Sequence, residues 1–219
     1  RRLVYGEFRM SGPLTFVEVT NDDKYLHMVI TLTGHPIQAI EDVYFADEVI
    51  PTDTINTSTG IVEVGKYANK VRIFKSLGDE GSSQPFPQLA SAVTSWTSNH
   101  LQRNCGKVYI RLEFDSDLFP QAVPNISFWV KGKKIADPRN SSAIAWDVNP
   151  ALCIRDYLVT STIDGGGGAA TIEINDTFTN AAANVCEEIV STARIDTRIR
   201  IVSATSANVV STSTDTVTM

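Results

Sequence analysis

The chain has 219 residues, 42% of them apolar and 20% charged, with a formal net charge of −6. A chain of this length buries roughly 70% of its unfolded surface, enough for one good core or two small ones. The acidic balance argues against a surface built to grip nucleic-acid phosphates, which needs clustered Lys and Arg, and no apolar run approaches the roughly 20 residues of a membrane-spanning helix.

Residues 3–10 and 14–19 cluster or alternate β-forming side chains and predict two strands. The polar turn at 21–24 leads into YLHMVITLT, residues 25–33. Leu26, Met28, Ile30 and Leu32 share one uniformly apolar face, assigned to the core, while Tyr25, His27, Val29 and Thr31 face the other way. A hairpin joining 14–19 to 25–33 follows. Residues 43–45 predict a short strand, 51–60 an exposed loop of turn composition, and 61–64 and 71–75 further strands. GDEGSSQPFPQ is a flexible break. Residues 88–96 predict a short helix with Leu89, Ala92, Val93 and Trp96 at helical spacing. Residues 107–115 alternate strictly, with Val108, Ile110, Leu112 and Phe114 inward, and 125–131 form another strand.

The stretch 129–160 carries the most consistent local signals. Asn149 is a good N-cap, able to accept from the N–H of Ala151 or Leu152. Pro150 suits the first helical position, where its missing N–H costs nothing, and it holds Asn149 extended. Val148 is placed to staple onto Cys153. A helix over 150–158 is predicted, with Cys153 and Tyr157, and Ile154 and Leu158, sharing faces. Residues 137–147 then form a loop from strand to helix, pinned by Trp146. Residues 165–168 are four glycines and read as a linker, because their backbone entropy is large. A second helix carries the stripe Phe178, Ala182, Val185 and Ile189, capped by Asp176 or Thr177. Residues 194–219 predict two Ser/Thr/Val-rich strands. A domain change is expected near residue 160, dividing a β-rich domain (1–160) from a helix plus the start of a second β-rich domain (161–219).

Cys105, Cys153 and Cys186 are odd in number and widely separated, which suits neither a metal site nor a disulfide framework. They are expected to be reduced and mostly buried, as in cytosolic assembly. No signal peptide is visible. Arg1 opens inside one strand-like run and Met219 closes inside another, so a piece of a longer polypeptide is expected. His27, His35 and His100 have no ligand-spaced partners and are expected to be structural or surface groups. The glycine run lacks the Lys-Ser or Lys-Thr of a phosphate loop. Glu113, Asp115 and Asp117 could hold a divalent ion but lack a calcium-type loop. Glu187 and Glu188 point apart on a helix, and no nucleophile elbow is present. Lys131, Lys133, Lys134 and Arg139 form one basic cluster, either a solvated turn or a contact for an acidic neighbouring subunit. Arg155 and Asp156 are likewise solvated or interfacial. No catalytic residue, cofactor or metal is expected.

VKGKKIADPR followed by WDVNPALCIRDYL resembles the central hub and tip attachment proteins of long-tailed, lambda-like bacteriophages. RRLVYGEFRMSGPLTF, YLHMVITLTGHPIQAIEDVYF, YIRLEFDSDLFPQAVPNISFWVKGKKIADPR and FTNAAANVCEEIV resemble further segments of that family in the same order, over most of residues 1–192. The GGGG run replaces a YGLG-like turn, and the fibronectin-like and receptor-binding parts of the family lie outside this stretch. The resemblance implies an architectural protein with no catalysis. It implies a mainly β (α+β) chain of antiparallel β-barrel or sandwich domains with two or three short helices. It further implies a homotrimer around the tail axis, joining the tail tube or distal tail ring, near the tape measure protein, to the central fibre. DNA would pass nearby without specific binding, and assembly would occur in the host cytoplasm. Loops 51–60 and 79–88 are candidate contacts with neighbouring tail proteins. Alternatives from other classes are a β-sandwich that binds a receptor or glycan, for which Phe86 and Trp96 are the only loop-proximal aromatics, and a cell-wall hydrolase.

Overall fold

The structure is a computed structural model that describes residues 1–79, 81, 86–120 and 122–188. The chain divides into two compact units, Arg1–Ala183 and Asn184–Met219. Only 184–188 of the second are described, so Ile189 and the tail strands expected at 194–219 lie outside the described residues.

Among the described residues there are ten strands: β1 (Glu7–Met10), β2 (Leu14–Thr20), β3 (Tyr25–Thr31), β4 (Ala39–Phe45), β5 (Glu48–Ile50), β6 (Val71–Ser76), β7 (Lys107–Glu113), β8 (Ile126–Lys131), β9 (Lys134–Asp137) and β10 (Ala143–Trp146). Three α-helices accompany them: α1 (Pro87–Ala92), α2 (Pro150–Val159) and α3 (Asp176–Cys186). One antiparallel sheet has the order β2-β3-β7-β6 and a second the order β1-β8-β4-β5, while β9 and β10 form a separate hairpin. The first two sheets face each other as a sandwich. They do not close into a barrel, because β2 and β6, and β1 and β5, remain edge strands.

The sandwich follows from alternation. Met28 and Ile30 of β3, Val108, Ile110 and Leu112 of β7, and Val71 and Ile73 of β6 meet Ile40, Val43 and Phe45 of β4 and Ile126, Phe128 and Val130 of β8 in one buried cluster. Each fully buried side chain of this size contributes roughly 1.5–3 kcal/mol. The β2–β3 hairpin pairs Leu14 with Ile30 through to Thr20 with Tyr25, with an irregularity between Leu14 and Phe16. Its turn holds Asn21, Asp22 and Asp23 at positive φ, which Asn and Asp tolerate better than most residues.

The opposite face of β3 is also buried. Val29 and Tyr109 pack under Phe86, Leu89, Val93 and Trp96 around α1, so a helix covers the side opposite the assigned core face. The helix ends at Ala92, shorter than the expected 88–96, and Ala92 is exposed. Phe86 and Trp96 are buried, which removes them as exposed recognition aromatics. Phe114 lies beyond the end of β7 and is 70% exposed, not inward. Residues 51–60 are exposed at 51–53 and 57–59, but Ile55 packs on the core and Gly60 is buried; the stretch is tied down where the Lys75 ammonium donates to Thr52 Oγ1 (2.8 Å) and to the Glu41 carbonyl. Burial pushes Lys75 down to about 8. The expected loop 137–147 is instead mostly the β9–β10 hairpin, with Asp137 paired to Ala143 and Lys134 to Trp146. Trp146 still pins it, donating from Nε1 to the Gly6 carbonyl at 3.4 Å. Cys105 and Cys153 are half-buried and Cys186 is exposed, against the expectation of burial.

Candidate functional site

The helix α2 begins where Asn149 and Pro150 place it. The Asn149 Oδ1 accepts from the Ala151 N–H at 3.0 Å, and its Nδ2 donates to the Ala183 carbonyl at 2.9 Å. Asp147 Oδ1 in turn accepts from the Asn149 N–H at 2.7 Å. That carboxylate fixes the entry in place of the expected staple, and Val148 is left 57% exposed. Leu152 is buried against Ile135 and Ala183. The seated side of α2 is therefore Leu152 with Arg155, not the face of Ile154 and Leu158. Replacing Asn149 with alanine is expected to cost about 2 kcal/mol, about 1 for the lost cap and about 1 for the orphaned Ala183 carbonyl. Urea denaturation should show a lower midpoint at unchanged slope; an unchanged midpoint would contradict the double role.

The candidate charged residues are largely occupied within the chain. Lys131 Nζ lies 2.6 Å from Glu41 and over the Trp146 ring. Lys133 Nζ lies 2.5 Å from Asp156 Oδ2 and 2.9 Å from Thr160 Oγ1. Arg139 grips Asp137 through Nε and Nη2, holding that carboxyl below its ordinary range. Arg155 is buried and grips Asp176 at 2.6 and 3.1 Å, tying α2 to α3. Lys134 is exposed at the start of β9. Tyr5 donates to Asp156 Oδ2 at 2.5 Å; burial, then that bond, raises its hydroxyl well above the ordinary value. Tyr5 was missed in the sequence, and Asp176 was read as a cap and not as the partner of Arg155, because partners 151 and 21 residues away leave no local signal. The α3 cap is Asn175, whose Oδ1 accepts from Thr177 and Phe178 N–H, one residue before the expected Asp176. Its buried residue is Ala183, while Phe178 of the expected stripe is exposed.

The four glycines form an ordered turn. Gly167 and Ala169 donate N–H groups to the Tyr157 and Leu158 carbonyls, and Gly168 to Thr160, each at 2.8 Å. These are carbonyls that the end of a helix leaves without partners. Gly165 sits at φ +96°, and a β-carbon at Gly166 would stand 2.5 Å from the Thr160 β-carbon. The run continues the first unit past residue 160 to Ala183.

With its inner side seated, α2 presents Ile154, Tyr157 and Leu158 outward, and Ile144, Ile163, Ile172 and Phe178 are exposed in the same part of the sequence. A second apolar surface lies at the β2 edge. A groove of about 360 Å³ is lined there by Val19, Leu26, Leu112, Phe114, Phe119 and Val123, and Leu14 and Val17 farther along β2 are also exposed. Exposed apolar faces and unprotected edge strands are where chains associate.

The remaining candidates are built into the fold. His27 lies between Thr20 Oγ1 and the Tyr109 hydroxyl, each at 2.9 Å; burial, then Arg111, lowers its basicity. His35 Nε2 accepts the Val4 N–H at 2.9 Å, and burial lowers the basicity of this ring too. His100 stacks on Trp96. Lys70 bridges Glu113 and Asp115, at 3.1 and 3.4 Å, filling the position a cation would take. Among the described residues, no group of three or more His, Cys, Asp or Glu could hold a metal ion, and no helix is long and apolar enough to cross a membrane.

No protein-family model and no curated protein matches the chain. One solved chain from the virion of a native gene transfer agent (GTA) particle superposes with a TM-score of 0.41 at 14% identity, covering 64% of this chain and 28% of that one. The likeness thus takes in a minor part of that chain's length.

Proposed function

We propose that the chain is a structural, non-catalytic subunit of a phage-type virion, part of the tail-tip hub that joins the tail tube to the central fibre around the DNA channel. Three copies would surround the tail axis and meet the tail tube or distal tail ring and the tape measure protein. The ordered series of segments that resembles such hubs supports this reading.

The observation that carries it is the two-sided character of α2. One side is fixed by Asn149, Leu152, Arg155 and Asp156, and the other offers Ile154, Tyr157 and Leu158. A rigidly held helix with an apolar outer face is suited to hold a neighbour in register. Obligate interfaces of this kind commonly bury more than about 2,000 Å². The mildly acidic net charge keeps such a collar from adhering to passing DNA.

The test is the double substitution Ile154→Asp with Leu158→Asp in the full-length protein. The variant should still fold, with a small loss in melting temperature because Ile154 is 60% exposed and Leu158 37%, yet fail to enter particles in a complementation assay. Normal incorporation and infectivity would overturn the role given to α2.

A further inference from the structure

The outer face of the sheet β2-β3-β7-β6 carries two arginines directly opposite each other. Arg72 on β6 and Arg111 on β7 are register partners, and His27 on β3 is the partner of Arg111 on its other side. Both arginines line a cleft of about 320 Å³ with Tyr25, His27, Ser91 and Tyr109. The Nε atoms of both are buried without a hydrogen-bond partner. No ion pair joins either one to a described carboxylate. The nearby acids are otherwise engaged: Glu113 is held by Lys70, and Glu18 accepts from Ser95. Directly opposed residues in a sheet hold their β-carbons about 5 Å apart, so the two cations repel. Burial and then Arg72 both press against the charged form of Arg111.

The walls are set rigidly. Arg111 lies over the Tyr25 ring at 4.3 Å, which fixes the guanidinium plane and leaves its N–H edge free to donate. Tyr109 is stacked against Phe74 and held by its bond to His27. Two guanidiniums with unmet donors, set on aromatic walls, match the oxygens and the charge of a dianion. A carboxylate offsets only one of the two charges. A phosphate monoester carries close to two at neutral pH, and the cleft is at the small end of ligand-site volumes.

We propose that this cleft binds a phosphate-type dianion, as free phosphate or a small phosphate monoester, between the guanidiniums of Arg72 and Arg111. The proposal stands independently of the tail-hub reading.

The test is melting and titration calorimetry of the whole chain in inorganic phosphate, phenyl phosphate or acetate, at matched ionic strength. Phosphate should raise the melting temperature and give a saturable heat, and acetate should do neither. A further gain with phenyl phosphate would assign the site to a monoester, and equal responses to free phosphate. Arg72→Gln and Arg111→Gln should each weaken phosphate binding at least about tenfold. Without phosphate both variants should melt no lower than the parent, since each removes one of two repelling charges. Equal responses to acetate and phosphate, an undiminished phosphate response in the double variant, or variants that melt lower in its absence would each overturn the proposal.

Discussion

Asp156→Ala is expected to destabilise the first unit by about 3 kcal/mol, at the low end of what breaking a buried ion pair costs. The carboxylate is 16% exposed and the Lys133 side chain 22%, so some solvent screening remains and the full range is not reached. Removing Asp156 strands two donors at once. The Lys133 ammonium keeps only the Thr160 hydroxyl, and the Tyr5 hydroxyl loses its acceptor. Because Tyr5 precedes β1, Lys133 follows β8 and Asp156 lies on α2, one side chain holds three distant segments together. Asp156→Asn should lose less, since the amide oxygen still accepts from Tyr5. A double-mutant cycle with Tyr5→Phe should give a coupling of about 1 kcal/mol or more. Additive effects, or a loss below about 0.5 kcal/mol, the range of ordinary surface substitutions, would show that the cluster is a solvated pair.

Gly166→Ala should cost about 3 kcal/mol, the upper part of the range for overpacking a close contact. The new methyl runs into the carbonyl oxygen and β-carbon of Thr160. That backbone cannot give way without releasing the Gly168 N–H bond to the same carbonyl and the Gly167 bond to Tyr157. The end of α2 should then fray, with faster amide exchange at Gly167 to Ala169. A flexible linker would instead gain slightly from alanine, through the lower entropy of its unfolded state. The sign of the change therefore separates the two readings.

These two sites also show where sequence reading stops. The inner faces of β3 and β7 were legible, because burial on one side imposes a period of two. So was the start of α2, where the Asn149 cap and Pro150 act on adjacent positions. The glycines at 165–168 were read as a linker because glycine composition reports entropy lost on ordering and says nothing of carbonyls waiting at the end of α2. The burial of the outer face of β3 was not legible, because its cover comes from α1, far along the chain. Phe114 was read as inward because alternation does not reveal that β7 has already ended. Lys133 and Arg155 left two alternatives open, solvent or subunit, and their partners Asp156 and Asp176 within the chain are a third that spacing does not report. The Arg72 and Arg111 pair is created by register alone.

The central claim is architectural: α2 is seated on one side so that its other side can hold a neighbour. The measurement that bears on it most directly is a density map of the intact particle containing the full-length protein. The expected result is a threefold ring of this chain around the tail axis at the tip, with Ile154, Tyr157 and Leu158 buried against an adjacent subunit. A chain placed away from that axis, or an α2 face left in solvent in the assembled particle, would contradict it.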